Sequence, residues 1–239
     1  MLKLGNVELG EQPGIAIAIQ DAVDPSAITA ACPGAIVELR LDALKEATPE
    51  TCAAFSACYG HFPTLATIRH ADEGGAWHGT EAERLDCFKA VIPVVDAVDV
   101  EIAVGSITGE VVATAHDAGK LVIGSFHDFD ATPDEERLEQ VHEAGRKAGV
   151  DIVKVAARCN DPEDLRRLAA FTLAHREEGI IVVGMEAYGL VSRVFFPALG
   201  SLLSYTFMGT PTAPGQLNCH DTLAYLGGFY PQGVARPRG

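Results

Sequence analysis

Eight short apolar runs rich in β-branched residues recur along the chain, separated by polar, helix-compatible stretches. They fall at Gly14–Ile19, Ala35–Leu41, Thr64–Arg69, Ala97–Ile102, Leu121–Phe126, Asp151–Ala156, Ile180–Met185 and Leu203–Met208. Apolar strands alternating with helices build a parallel sheet covered on both faces. Eight such units in 239 residues fit a single-domain α/β fold, the (β/α)8 TIM barrel, for which roughly 250 residues is typical. An open eight-stranded sheet would instead leave edges to protect. Helices are predicted over Glu81–Val91 after Thr80, over Pro133–Ala148 with Thr132 as N-cap, and over Pro162–Glu178 with Asp161 as N-cap. Within residues 1–13, Leu2–Leu9 reads as a short hairpin around Gly5-Asn6, outside the eightfold count and available to plug the barrel bottom. The Gly- and Pro-rich stretch 227–239 reads as a fraying tail.

Charge and cysteine usage remove several function classes. A formal net charge of −15 repels nucleic acid and anionic lipid, so neither is an expected partner. No run of about 18 apolar residues suggests a membrane span, and the start of the chain has no apolar signal segment. The six cysteines form no C-x-x-C pair and have no histidines at zinc-ligand spacing. The expectation is a soluble cytoplasmic protein. His70 and His78, eight apart in a loop, are a poor metal signal. Walker lysine, G-x-G-x-x-G, G-x-S-x-G and H-E-x-x-H motifs are missing, which argues against nucleotide, dinucleotide, serine-hydrolase and zincin chemistry.

Function in a barrel collects at the C-terminal ends of the strands, and charged residues recur there. Glu38, Arg40 and Asp42 share one face of the second run by the two-residue period. They form either a polar wall or an ion-pair ladder. The third run ends at Arg69, followed by Glu73-Gly74-Gly75, and the fourth carries Asp99 and Glu101. The fifth ends in His127, a candidate general base near neutral pH, the bland alternative being a packed core imidazole. Of the six lysines only Lys154 interrupts an apolar strand. Lysine is rarely buried without a partner or a task. Desolvation disfavours the charged form of a buried amine and frees it to attack a carbonyl; a structural ion pair with Asp99 or Glu101 is the alternative. Beyond the seventh run Arg193 offers a fork for a carboxylate or a phosphate, with Thr212 and Gln216 as neutral donors after the eighth.

These segments together resemble class I 3-dehydroquinate dehydratase of the shikimate pathway, over roughly Gly14 to Asn218. The resemblance is carried by E-x-R-x-D from Glu38 to Asp42, T-x-R-x-x-x-E-G-G from Thr67 to Gly75, and D-x-E at Asp99 and Glu101. It continues through S-x-H-D-F-x-x-T-P from Ser125 to Pro133, D-I-V-K-x-A from Asp151 to Ala156, G-x-x-S-R from Gly189 to Arg193 and A-P-G-Q from Ala213 to Gln216. It implies a cofactor- and metal-independent dehydration of 3-dehydroquinate to 3-dehydroshikimate. Lys154 would form the Schiff base, His127 would serve as general acid and base, and Glu73 would orient His127. Arg193, Thr212 and Gln216 would bind the substrate carboxylate, Glu38, Arg40 and Arg69 its hydroxyls, with Asp99 and Met185 supporting the pocket. Relatives also imply a homodimer. Thr212 stands where serine is expected and Val183 where several relatives carry methionine. The competing readings are a Schiff-base aldolase acting on a sugar phosphate and a catalytically silent metabolite-binding barrel.

Overall fold

The structure, a computed structural model, describes residues 2–102, 106–209, 211, 213 and 215–236. An antiparallel hairpin of β1 (Leu2–Leu4) and β2 (Val7–Leu9) precedes eight strands. These are β3 (Gly14–Ile19), β4 (Ile36–Arg40), β5 (Thr64–Thr67), β6 (Ala97–Glu101), β7 (Leu121–Asp128), β8 (Ile152–Arg158), β9 (Ile180–Met185) and β10 (Leu203–Phe207). Every hydrogen-bonded pair in the order β10-β3-β4-β5-β6-β7-β8-β9 is parallel. The seam between β9 and β10 is drawn together lower down, where Leu202 N–H donates to Ile180 O at 2.9 Å and Val182 N–H to Ser201 Oγ at 3.0 Å. The result is the expected TIM barrel, nearly closed by its ladder.

The helical layer comprises α1 (Pro25–Ala31), α2 (Pro49–Ala57), α3 (Glu81–Val91), α4 (Thr108–Asp117), α5 (Glu135–Ala148), α6 (Pro162–Ala174), α7 (Glu186–Gly189), α8 (Ser192–Phe195) and α9 (Cys219–Phe229). Local chemistry starts most of them. Thr80 and Glu83 form a reciprocal capping box at α3, and Asp161 accepts the Glu163 and Asp164 N–H groups at α6. Two predicted helix boundaries move. The cap of α5 is Asp134, not Thr132, because the Thr132 hydroxyl donates to Arg158 O at 2.7 Å and ties the loop to β8. Helix α6 stops at Ala174 rather than Glu178, since His175 to Glu178 close a turn that feeds β9. No helix among the described residues is long and apolar enough to cross a membrane.

Strand alternation divides the core in two. Outward residues such as Val37, Leu39, Val98, Val100, Val153 and Val155 pack against helices in one cluster. Their inward neighbours Ile36, Leu65, Ala97, Leu121, Ile123, Ile152 and Ile181 fill the lower barrel in a second cluster, joined by Leu4, Val7 and Leu9 of the hairpin. The hairpin therefore plugs the barrel bottom, as its sequence suggested. Of the expected fraying tail, 237–239 lie outside the described residues and 227–236 pack onto the barrel: α9 runs through Gly227 to Phe229, Val234 and Ala235 are buried, and Ala235 N–H donates to Pro13 O at 2.9 Å.

Candidate active site

Above the apolar floor, the same inward positions turn polar. Two residues beyond Ile36 stands Glu38, two beyond Leu65 Thr67, two beyond Ala97 Asp99, two beyond Ile123 Ser125 and two beyond Ile152 Lys154. The period of two thus delivers polar side chains from five strands to the upper barrel, three of them charged, without any being forced there by a loop. Glu38 and Lys154 line a cavity there that is partly open to solvent. Of the residues singled out in the sequence, Glu38, Arg40, Arg69, Glu73, His127, Lys154, Met185, Arg193 and Gln216 all line it, with Val183 beside Met185. Asp99 lies beneath, fully buried. Thr212 lies outside the described residues.

Lys154 is 5% exposed, and its Nζ donates to Asp99 Oδ2 at 2.9 Å. It also sits 4.3 Å from the centre of the Tyr205 ring, a cation–π contact. Of the two carboxylates considered as ion-pair partners, Asp99 is the one in contact, while Glu101 belongs to the layer behind. Asp99 Oδ1 accepts from Arg69 Nη2 at 2.7 Å and from Ser125 Oγ at 2.6 Å. Arg69 Nη1 donates to Glu101 Oε1 at 2.8 Å, and Arg84 holds the other oxygen of Glu101. Burial by itself would raise the Asp99 pKa, but Arg69 and Lys154 outweigh it and hold the carboxyl well below the usual range. Asp99 is therefore a fixed negative charge beside the amine, and stays one if the amine is converted to a cationic imine.

Glu73 and His127 form the second centre. Glu73 Oε2 accepts the His127 backbone N–H and lies 2.9 Å from its Nδ1. The Glu73-Gly74-Gly75 turn that places this carboxylate requires glycine: a Cβ on Gly75 would stand 2.0 Å from Arg69 O. Burial pushes Glu73 up to about 8 against the pull of Arg69. Burial also drives the His127 pKa well below its usual value, with Arg69 and Lys154 adding to the effect. The two groups share a hydrogen bond. Once the pair has lost its proton, the carboxylate accepts Nδ1–H and leaves Nε2 as the basic nitrogen.

The wall opposite is mixed in character. Arg40 donates from Nε and Nη2 to Asp42 at 3.0 and 2.8 Å, so the ladder reading holds for this pair, although Arg40 still lines the cavity. Glu38 accepts from Thr67 Oγ1 at 2.9 Å. Arg69, expected to contact substrate hydroxyls, makes three side-chain hydrogen bonds within the protein, to Asp99, Glu101 and Ser125. Arg193 is 3% exposed, donates to Tyr205 O at 3.2 Å, and has its pKa lowered to about 10 by burial. Its segment is anchored by close contact of backbones: a Cβ on Gly189 would stand 2.3 Å from Gly184 C, and Ser192 Oγ accepts Gly184 N–H at 2.9 Å.

Sequence reading gave no role to Tyr205, Phe129 or Arg84. Tyr205 was legible in principle, two residues after the inward Leu203 of β10. Phe129 simply follows the H-D pair. Arg84 gave no signal, because a lone arginine in a charged helix looks like a solvated face, yet it is fully buried against Glu101. Among the described residues, no three His, Cys, Asp or Glu donor atoms converge within 4.8 Å in this cavity.

Fold and site together define a TIM-barrel protein with a buried amine and an imidazole–carboxylate pair at the C-terminal mouth. A family model described as Type I 3-dehydroquinase matches residues 18–228. The chain belongs to the type I 3-dehydroquinase family. It is 33% identical to 3-dehydroquinate dehydratase of Methanococcoides burtonii, covering 92% of this chain and 96% of the relative. It is 34% identical to that of Thermodesulfovibrio yellowstonii, covering 87% and 92%. The crystal structure of 3-dehydroquinate dehydratase from Geobacillus kaustophilus superposes with a TM-score of 0.81 at 27% identity, over 92% of this chain and 93% of that one.

Proposed function

We propose that the protein dehydrates 3-dehydroquinate to 3-dehydroshikimate in the shikimate pathway, through an imine on Lys154 with His127 as general acid and base. The observation that carries this reading is the placement of Lys154 and His127 on one cavity, the lysine beside Asp99, whose carboxyl Arg69 and Lys154 hold well below the usual range. The amine of Lys154 attacks the ketone, and loss of water gives a protonated imine whose charge sits against Asp99 and the Tyr205 ring. That charge acidifies the adjacent carbon. Nε2 of His127 takes its proton, and the resulting enamine expels the β-hydroxyl, which leaves as water on receiving the proton back from the imidazolium. Hydrolysis then restores Lys154, and one water is lost overall. Following the conjugated enone in a mixture of protein and 3-dehydroquinate tests the reading directly: no absorbance gain would refute it.

Arg193 is assigned to the substrate carboxylate, with Gln216 and Thr212 as neutral donors; Glu38 and Arg40 face the hydroxyls, and Arg69 acts through Asp99. Truncating Arg193 removes a charged hydrogen bond worth about 1.5–3 kcal/mol, so Arg193→Ala should raise KM roughly 10- to 100-fold. An unchanged KM would place the carboxylate elsewhere.

The pair of Glu73 and His127 also predicts a pH profile. The pair must lose its proton before Nε2 can act as a base, so kcat/KM should rise through a limb near the Glu73 pKa of about 8. Glu73→Gln cannot lose that proton and should flatten the limb, at a cost of roughly 10- to 100-fold from a poorly oriented imidazole. A limb persisting in the glutamine variant would assign it to another group.

A homodimer fits the outer face of α7–α9, where Val191, Phe195, Tyr225 and Phe229 are 49%, 51%, 49% and 71% exposed around an apolar groove. Sedimentation should give two chains per particle, and Phe195→Asp with Phe229→Asp should give one; a dimeric double variant would move the interface. Six free thiols, five of them buried, support a reducing compartment and hence the cytoplasm.

A further inference from the structure

We propose that Glu139, His142 and His175 form a binding site for a divalent transition-metal ion of the zinc class, in the seam between α5 and α6. Glu139 and His142 are three residues apart on one face of α5, and His175 caps the C-terminus of α6. The three residues each bring one donor atom to within 4.8 Å of the others. The two imidazoles stack with centroids 3.8 Å apart, and Glu139 lies 3.1 Å from His175 Nε2. His142 is 4% exposed, yet its buried Nε2 has no hydrogen-bond partner, and the buried Nδ1 of His175 is in the same condition. Buried polar nitrogens are ordinarily bonded. The nearby Glu178 carboxylate stops short of both, at 3.7 Å from His142 Nε2 and 3.5 Å from His175 Nδ1.

Two neutral imidazoles and a carboxylate are a donor set for Zn²⁺, whereas Mg²⁺ and Ca²⁺ take oxygen ligands. Tetrahedral bonds of about 2.0–2.1 Å place donor atoms roughly 3.4 Å apart, so the cluster must contract by on the order of 1 Å. The Glu139 and Glu178 side chains, 50% and 49% exposed, have the freedom to do so, and Glu178 can supply a fourth ligand. The bound ion would clip together the two helices that follow β7 and β8, the strands bearing His127 and Lys154. None of these ligands belongs to the cavity.

Tag-free protein, stripped with a chelator and dialysed, is titrated calorimetrically with ZnCl2, with MgCl2 as control, and its thermal midpoint is recorded with and without zinc. One Zn²⁺ per chain, a raised midpoint and no Mg²⁺ binding are expected, and Co²⁺ should show the intense visible bands of a tetrahedral site. His175→Gln and Glu139→Gln, at partly exposed positions that leave the buried His142 in place, should each weaken Zn²⁺ at least about 10-fold, since even losing an outer-shell partner costs that much. No binding by the wild type, or equal affinity in both variants, overturns the proposal, as does a Co²⁺ spectrum of the hydrated ion alone. The two variants should retain the far-ultraviolet circular dichroism of the wild type, so that lost binding is read on folded protein.

Discussion

Lys154→Ala is expected to abolish turnover and, with it, every trace of covalent attachment. Wild-type protein treated with 3-dehydroquinate and borohydride should gain one stable adduct on its intact mass, while the variant gains none. The other five lysines do not interrupt barrel strands and should stay unlabelled. The variant should remain folded, because Asp99 keeps Arg69 Nη2 at 2.7 Å and Ser125 Oγ at 2.6 Å after the amine is gone. Removing one bond to a charged group then costs about 1–3 kcal/mol, short of the penalty for stripping a buried charge of its only partner. Lys154→Met, which keeps most of the stem volume, should behave alike in catalysis. An adduct on either variant would place the nucleophile at another lysine.

His127→Ala separates imine formation from proton transfer. Lys154 still supplies the nucleophile, so substrate should attach, but the next step lacks its base. Such assistance contributes typically about 10²–10⁴-fold, and turnover should fall by that order while a borohydride-reducible imine accumulates. The surrounding loop should hold its place, since Glu73 Oε2 accepts the backbone N–H of residue 127 at 2.9 Å whichever side chain is present. Enone formation and adduct mass are read on the same sample. Near wild-type turnover would point to another base, Glu73 first; a variant with neither turnover nor adduct would give His127 a part in making the imine as well.

The barrel and the convergence of Lys154 and His127 on one cavity were legible because both are written in local order. Strand existence follows from runs of β-branched residues, and the period of two carries a charged position such as Lys154 or Asp99 to the inside as soon as its apolar neighbours face the helices. Boundaries were less legible at Thr132 and Glu178, where a hydroxyl drawn to β8 and a turn feeding β9 overrode helix-start and helix-length signals.

What the chain's residues determined by themselves was the eightfold alternation, the plugging hairpin, and which side chains stand at the strand ends. Only the tertiary structure decided how those side chains are employed. Arg69, 30 residues from Asp99 and 56 from Ser125, could be read as a ligand-binding arginine until the barrel brought those partners within hydrogen-bond reach. Arg84 became a buried support of Glu101, and Tyr205 the ring against which Lys154 Nζ rests. Glu139, His142 and His175 met only when α5 packed on α6. The physical reason is common to all: periodicity specifies the direction in which a side chain leaves the backbone, but its charge state and partners depend on low-dielectric contacts between distant segments, which exist only once the chain is folded.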